Sequence, residues 1–196
     1  ARTLAGIDRR HADARVLGPG LAAGRAAELA EALAENDAPT VLDAGALDPR
    51  LRAAAIAHGR CWLTPHHGEA ARLLERAGDE VSTDPIAAAR DLAEAWNAGV
   101  VLKSAGAVIA DASGRVRVVA AGHPGMAAGG TGDVLAGMLG AGLAAPHDDA
   151  LLRIAAITHL HARAGETAAA RHGFGMRATD LADAIPAARR ALGGPW

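Results

Sequence analysis

Aromatic residues and cysteine are scarce in this sequence. Of the 196 residues 2% are aromatic, with no tyrosine and one phenylalanine, while 51% are hydrophobic, mostly Ala, Leu and Val. A core of this composition is packed from small aliphatic side chains. The single Cys61 excludes an intramolecular disulfide and a zinc site built from several cysteines. It lies in an apolar, strand-like run, which predicts a buried structural thiol and fits a reducing cytoplasm.

An excess of charge and long apolar runs are also lacking. The formal net charge is −2 and the arginines are scattered among acidic residues, so nucleic acid is not an expected partner. No apolar run reaches the ~18 residues of a membrane span, and the first residues lack the apolar stretch of a signal peptide, so no membrane partner is expected. The chain begins at Ala1 and not at methionine, which indicates a piece of a longer or processed product.

Short apolar runs bounded by Gly, Pro or Asp alternate with longer Ala-rich segments of helical period. This rhythm predicts an α/β fold, with a mainly parallel central sheet flanked by helices in a single domain over residues 1–196. The predicted strands are 15–17, 40–43 and 61–64, followed by 100–103, 107–110 and 115–119, which have the spacing of antiparallel or edge strands. The predicted helices are 24–36, 47–58, 68–77, 85–97, 131–145, 148–171 and 178–192.

The most informative segment is GMAAGGTGDVLAGML, in which four glycines precede Asp133 and an apolar run of helical spacing. The first N–H groups of a helix lack internal partners and carry the positive end of its dipole, so they form an anion site. Asp133 at this position is placed to accept a proton from a hydroxyl beside a bound phosphate. The alternative is an ordinary helix start, with Thr131 or Asp133 as the cap.

Four other turns follow predicted strands, where ligands collect in an open α/β sheet. They are GPG at 18–20, DAG at 43–45, TPHHGE at 64–69 and KSAG at 103–106. Asp43 suits a substrate hydroxyl or a metal-bound water, and Lys103 with the N–H groups after it suits a phosphate. The simpler interpretations are a tight turn, a helix cap and a solvated lysine. His66 and His67 point to opposite sides of an extended segment, so at most one faces the site.

Other histidines carry weaker signals. His159 and His161 are two apart in a helix and face different sides, which favours solvated or core-edge roles over metal binding. His123 precedes the glycine-rich segment, where contact with a ligand and contact with solvent are both open.

Taken in order, VLGPGL, VLDAGAL, LTPHHGEAARLL, VVLKSAGAVIA and GHPGMAAGGTGDVLAGML resemble the ADP- or ATP-dependent (S)-NAD(P)H-hydrate dehydratases of the ribokinase-like superfamily. The resemblance covers the C-terminal two-thirds of that domain. It implies a ribokinase-like fold that lacks its first βα units. It also implies nicotinamide cofactor repair, in which the hydrates NADHX and NADPHX are dehydrated at the expense of ADP, with release of AMP and phosphate.

The resemblance also assigns residues. Contacts with the hydrate fall on Gly20, His66 and Asp133, with Asp133 as the catalytic base. Nucleotide contacts fall on Lys103, Ser104, Ala105, Gly106, Ala107 and Gly132. It further implies a Mg²⁺ ion that bridges the nucleotide phosphates without a protein metal cage, small-molecule substrates as the partners, a homotetramer, and a cytoplasmic location.

This chain departs from the family pattern in places. Lys-Ser-Ala-Gly-Ala stands where the family has Lys-Gly-Ala-Gly-Thr, His67 replaces a usual proline, and His123 replaces a usual asparagine. Two alternatives therefore stay open: a ribokinase-like vitamin kinase, and a non-catalytic nucleotide-binding fragment. The TPHHGE and LKSAG segments favour the dehydratase over the kinase.

Overall fold

The structure, a computed structural model, describes residues 12–22 and 24–193. At its centre is a six-stranded sheet whose strand order follows the chain, from β1 to β6. The strands are β1 Arg15–Leu17, β2 Thr40–Leu42, β3 Cys61–Leu63, β4 Gly99–Leu102, β5 Ala107–Ala110 and β6 Val116–Val119. The α-helices are α1 Ala26–Ala34, α2 Arg52–His58, α3 His67–Leu74, α4 Gly78–Thr83, α5 Pro85–Trp96, α6 Thr131–Ala144, α7 Ala150–His172 and α8 Ala178–Ala191.

The sheet is parallel through its first four strands and antiparallel in its last two pairs. The predicted mainly parallel sheet flanked by helices is therefore confirmed. β4 differs from the prediction in being an inner strand that pairs parallel with β3 on one side and antiparallel with β5 on the other. The β4–β5 and β5–β6 turns each reverse the chain once, so the ends of β4 and β6 reach the same edge of the sheet without a crossover helix.

Both faces of the sheet are covered because successive side chains of each strand point to opposite sides. Leu42 and Leu63 pack with helices α1, α2, α3 and α5. Val41 and Trp62 pack with α6 and α7 on the other face. Cys61 is buried, as predicted, and burial raises the pKa of its thiol to about 12. No helix within the described ranges combines the length and the apolar character needed to cross a membrane.

The helices differ most from the prediction between residues 47 and 83. The segment predicted as one helix from 47 to 58 divides into a 3-10 turn, Pro49–Leu51, and α2, because the Asp48 carboxylate accepts the Arg50 N–H and begins a new turn before Pro49. The helix α3 ends at Leu74, where Glu75 takes a left-handed conformation. The short helix α4 was not predicted at all.

Candidate functional site

The glycine-rich segment leads into α6 without a side-chain cap. The capping position is Gly130, at φ +89°, a conformation that favours glycine. The Thr131 hydroxyl donates backwards, to the carbonyl oxygens of Met126 at 2.6 Å and Ala128 at 2.9 Å. Neither Thr131 nor Asp133 is therefore the helix cap. The Thr131 N–H donates to the Ala128 carbonyl at 3.4 Å, but Gly130 has no side chain to accept the N–H groups that follow in the first turn of α6, and such groups suit an anion.

Lys103 reaches this helix start from the end of β4. Its Nζ atom lies 3.4 Å from the position that a methyl group on Gly132 would occupy. Asp133, the next residue, is exposed in the first turn of α6. The structure thus brings together Lys103, Gly132 and Asp133, three of the residues singled out by the sequence.

The Lys103 side chain is an ion-pair partner and not a freely solvated lysine. Its Nζ atom donates to Asp43 Oδ1 at 2.8 Å, and its side chain is 24% exposed. The same carboxylate oxygen accepts the Thr64 hydroxyl at 2.7 Å. Asp43 therefore joins the ends of β2, β3 and β4, and its side chain does not cap the 3-10 turn that follows it.

The GPG turn packs directly on the DAG turn. A methyl group on Gly18 would lie 1.7 Å from the carbonyl oxygen of Asp43, and φ at Gly18 is +118°. A methyl group on Gly45 would lie 2.6 Å from the carbonyl oxygen of Leu21. Both glycines are required by this backbone contact. Gly20 is exposed at φ +70°, and no described atom lies within 4 Å of the position of its missing methyl group, so the turn presents open space at that residue.

His66 caps the start of α3 at the same edge of the sheet. Its Nδ1 atom accepts the N–H groups of Gly68 at 3.0 Å and Glu69 at 3.3 Å, while the Glu69 carboxylate accepts the His66 N–H at 2.9 Å. His66 also forms a parallel bridge with Lys103. The neutral ring consequently carries its proton on Nε2, and the side chain is 60% exposed. Nε2 lies 3.6 Å from Glu69 Oε2, beyond hydrogen-bond distance, so its N–H is the group that His66 can offer to a ligand.

The predicted nucleotide loop connects β4 to β5. Ser104 and Ala105 are exposed, and the Ser104 hydroxyl donates to the Gly106 carbonyl at 2.7 Å. Ala107 is the first residue of β5. The loop therefore lies at the edge of the sheet that holds Lys103 and His66.

Two histidines have structural roles that the sequence did not reveal. His161, on α7, is buried, and its Nε2 atom donates to the Thr131 carbonyl at 3.0 Å. Burial, with Lys103 nearby as a lesser cause, lowers the pKa of His161. His123 accepts the Gly125 N–H at 3.0 Å and lies against the Phe174 ring. The spacing of His159 and His161 gave no signal for the first role, because it depends on how α7 packs on α6.

The site contains carboxylates but no protein metal cage. Across residues 12–22 and 24–193, no three side chains of His, Cys, Asp or Glu are grouped to hold a metal ion.

Comparison with known proteins agrees with these motifs. The family model described as NAD(P)H-hydrate dehydratase matches residues 3–187. The chain is 41% identical over 169 residues to a bifunctional NAD(P)H-hydrate repair enzyme of Coxiella burnetii, covering 85% of this chain and 34% of that protein. It is 39% identical over 181 residues to the ADP-dependent (S)-NAD(P)H-hydrate dehydratase of Xanthomonas campestris, covering 89% of this chain and 60% of that one.

The fold has solved counterparts. The ADP/ATP-dependent NAD(P)H-hydrate dehydratase of Bacillus subtilis, co-crystallised with ATP/Mg²⁺, superposes with a TM-score of 0.78 at 28% identity, over 90% of this chain and 64% of that one. The chain thus spans about a third of the bifunctional relative and less than two-thirds of the other two proteins. From the extent of the family match, the chain belongs to the NAD(P)H-hydrate dehydratase family.

Proposed function

We propose that this chain carries out the ADP-dependent dehydration of (6S)-NAD(P)H hydrate to NAD(P)H, with release of AMP and phosphate. The observation that carries the proposal is the approach of the Lys103 ammonium to Gly132 at the uncapped start of α6. A cation and unpaired N–H groups at one point form a site for a phosphate that is being transferred. Asp133 lies beside them as the proton acceptor.

The proposed chemistry converts the C6 hydroxyl of the hydrate, a poor leaving group, into a phosphate, which leaves readily. The C6 hydroxyl oxygen of the hydrate attacks the terminal phosphorus of ADP, the bond to AMP breaks, and Asp133 accepts the hydroxyl proton. The ring nitrogen then donates its electron pair to expel phosphate from C6. Loss of a proton from C5 restores the C5–C6 double bond. In this scheme the protein chiefly positions the reactants and stabilises charge on the phosphoryl group.

The remaining assignments belong to the same proposal. Gly20 and His66 contact the hydrate, and the 103–107 segment contacts the nucleotide with Gly132. A Mg²⁺ ion fits this site as a companion of the nucleotide phosphates, because Mg²⁺ usually keeps several waters and takes only one or two protein carboxylates. The ion would be held chiefly by the nucleotide phosphates and by waters and would neutralise phosphate charge, which leaves Asp133 available as the proton acceptor. A single domain, a tetramer and a cytoplasmic location also stay predictions.

Replacement of Asp133 tests the proposed base. Asp133→Asn keeps the shape of the side chain but removes its proton-accepting oxygen, so we expect turnover to fall at least ~10²-fold. The return of dihydronicotinamide absorbance, with purified protein, Mg²⁺, ADP or ATP and the hydrate, measures it. Asp79→Asn is the matched control, because Asp79 is also an acidic residue in the first turn of a helix, α4.

The products separate the three hypotheses. Formation of AMP and phosphate together with NAD(P)H supports the dehydratase. A stable phosphorylated product would instead identify a small-molecule kinase. Calorimetric binding of the nucleotide with no turnover of any substrate would identify a non-catalytic nucleotide-binding protein, and the proposed activity would be wrong.

A further inference from the structure

Asp43 is a buried carboxylate that the proposed chemistry does not yet use. Its side chain is 2% exposed, and one of its oxygens accepts both the Thr64 hydroxyl and the Lys103 ammonium. A carboxylate buried to this extent is charged only where a cation and hydrogen-bond donors compensate for lost water. Asp43 and Lys103 are 60 positions apart in the sequence, so the fold itself creates the pair.

Lys103 is the only lysine in the sequence, and the other basic residues among the 20 lysines and arginines are all arginines. A lysine ammonium is a compact charge on a flexible stem and has three N–H donors, of which the bond to Asp43 uses one. The planar guanidinium of an arginine spreads its charge over a larger group, whereas the lysine charge is centred on Nζ, 2.8 Å from the Asp43 carboxylate and 3.4 Å from the position that a methyl group on Gly132 would take.

We propose that Asp43, oriented by Thr64, is a positioning residue that holds the Lys103 ammonium against the start of α6. The inference rests on the proposed function for its kinetic consequence. Without the carboxylate, the flexible lysine stem turns toward solvent, and the transferring phosphate loses its fixed cation. Because charge on that phosphate develops in the transition state, the loss should lower kcat more than it raises the KM for ADP.

Asp43→Asn is the direct kinetic test. The amide keeps the size of the side chain but not its charge, and we expect kcat to fall ~10- to 100-fold with less than a ~5-fold change in KM. Asp111→Asn is the matched control, because it removes a carboxylate partner of Arg115 just after β5, away from the site.

The hydroxyl that orients Asp43 gives a second test, and Thr64→Val should give a smaller fall in kcat than Asp43→Asn. Thr40→Val, which changes another buried threonine at the opposite end of β2, should leave kcat unchanged.

The single lysine also permits a test that does not depend on turnover. Protein labelled with ¹⁵N-lysine has one side-chain ammonium, and an ion-paired ammonium that exchanges slowly with water gives an NMR signal. We expect the wild-type signal to shift when ADP is added, and the Asp43→Asn signal to be lost to exchange. Circular dichroism of each variant shows whether it is folded.

The outcomes are distinguishable. If wild-type protein does not convert the hydrate, the proposed function fails, while the lysine signal still decides the role of Asp43. If Asp43→Asn is folded and keeps both kcat and the ammonium signal, the inference is wrong. If Asp43→Asn does not fold, Thr64→Val decides the matter: unchanged kcat and an unchanged response of the signal to ADP would contradict the inference.

Discussion

At the scale of single residues, Gly132 is a position where helix stability and the proposed phosphate contact make opposite demands. It lies inside the first turn of α6, where alanine is the better helix former by up to about 1 kcal/mol. A methyl group there would touch Lys103 Nζ at 3.4 Å, an ordinary contact distance. The glycine thus costs helix stability and keeps open the space in front of the ammonium.

Gly132→Ala should therefore separate the two properties. We expect the free energy of unfolding to stay constant or rise by up to ~1 kcal/mol. ADP-dependent turnover should fall at least ~10-fold, because the methyl group occupies the place of a phosphate oxygen. Urea unfolding and the hydrate assay measure the two effects. Gly137→Ala is the control: Gly137 is exposed on the same helix with nothing within 4 Å of the added methyl, so turnover should not change. Equal losses of turnover in both variants would contradict this interpretation.

At the scale of elements, the turns after the strands support each other. The Asp43 N–H donates to the Leu17 carbonyl at 3.0 Å, which fixes the DAG turn to the end of β1. The Leu21 N–H donates to the Gly18 carbonyl at 3.0 Å, which closes the GPG turn. Because Asp43 also binds Lys103, the GPG turn, the DAG turn and the lysine at the start of α6 form one continuous set of contacts.

Two glycines of the GPG turn should respond differently to substitution. Gly18→Ala brings a methyl group into the Asp43 carbonyl and forces an L side chain to φ +118°, so we expect a loss of about 3 kcal/mol or more in the free energy of unfolding. Gly20→Ala has open space and only the left-handed strain, about 1–2 kcal/mol. Urea unfolding at fixed pH compares the two. Similar losses would show that the turn moves to accommodate the Gly18 methyl.

Elements with strong local signals were predictable. Strands β1, β2 and β3 coincide with apolar runs between turn residues, and α5 begins at Pro85, where the Asp84 carboxylate caps the helix as the sequence predicts. Helix α4 was missed because its sequence, GDEVST, contains a single buried apolar residue, Val81, and so has no helical period. Its position depends on packing against α3 and α5.

At the scale of the whole molecule, one buried and one half-buried histidine, His161 and His58, couple folding to pH. Burial is the main cause that lowers the pKa of both His161 and His58, and a nearby cation, Lys103 or Arg15 respectively, adds to it. At pH values between the lowered pKa of each histidine in the folded protein and its ordinary pKa of 6.5, the unfolded chain binds more protons than the folded chain. The free energy of unfolding therefore decreases as the pH falls through that range.

His161→Asn should reduce this pH dependence. The slope contributed by one histidine is at most about 1.4 kcal/mol per pH unit, and His58 still contributes in the variant. Urea unfolding from about pH 8 down to about pH 5 measures it, with the upper end as reference because both histidines are neutral there in both states. An identical slope in the wild-type and variant proteins would show that His161 does not contribute.

The turns that form the site were predictable, but the hydrogen bonds and the ion pair that join them were not. Order and composition placed GPG, DAG, TPHHGE, KSAG and GGTGD at strand ends or helix starts, where ligands bind. The bond between Asp43 and Lys103 and the bond between His161 and Thr131 join distant parts of the chain. Such pairs depend on register and on helix packing, which no local pattern encodes. Thr131 and Asp133 both have the residue type of a helix cap, which is why an ordinary helix start stood as the alternative, but Gly130 occupies the capping position.

The contact between β3 and β4 includes a tryptophan, so the fluorescence of the protein contains a signal from the centre of the sheet. Trp62 lies opposite Gly99, and a methyl group on Gly99 would be 2.3 Å from the indole ring. Trp62 and Trp96 are both buried, and the chain has no tyrosine. Near-ultraviolet emission therefore comes from indole alone, free of tyrosine background. Of the three tryptophans in the sequence, Trp62 is the one seated on the β3–β4 contact, so replacing Trp96 and Trp196 by phenylalanine would leave an emission that responds to separation of these two strands.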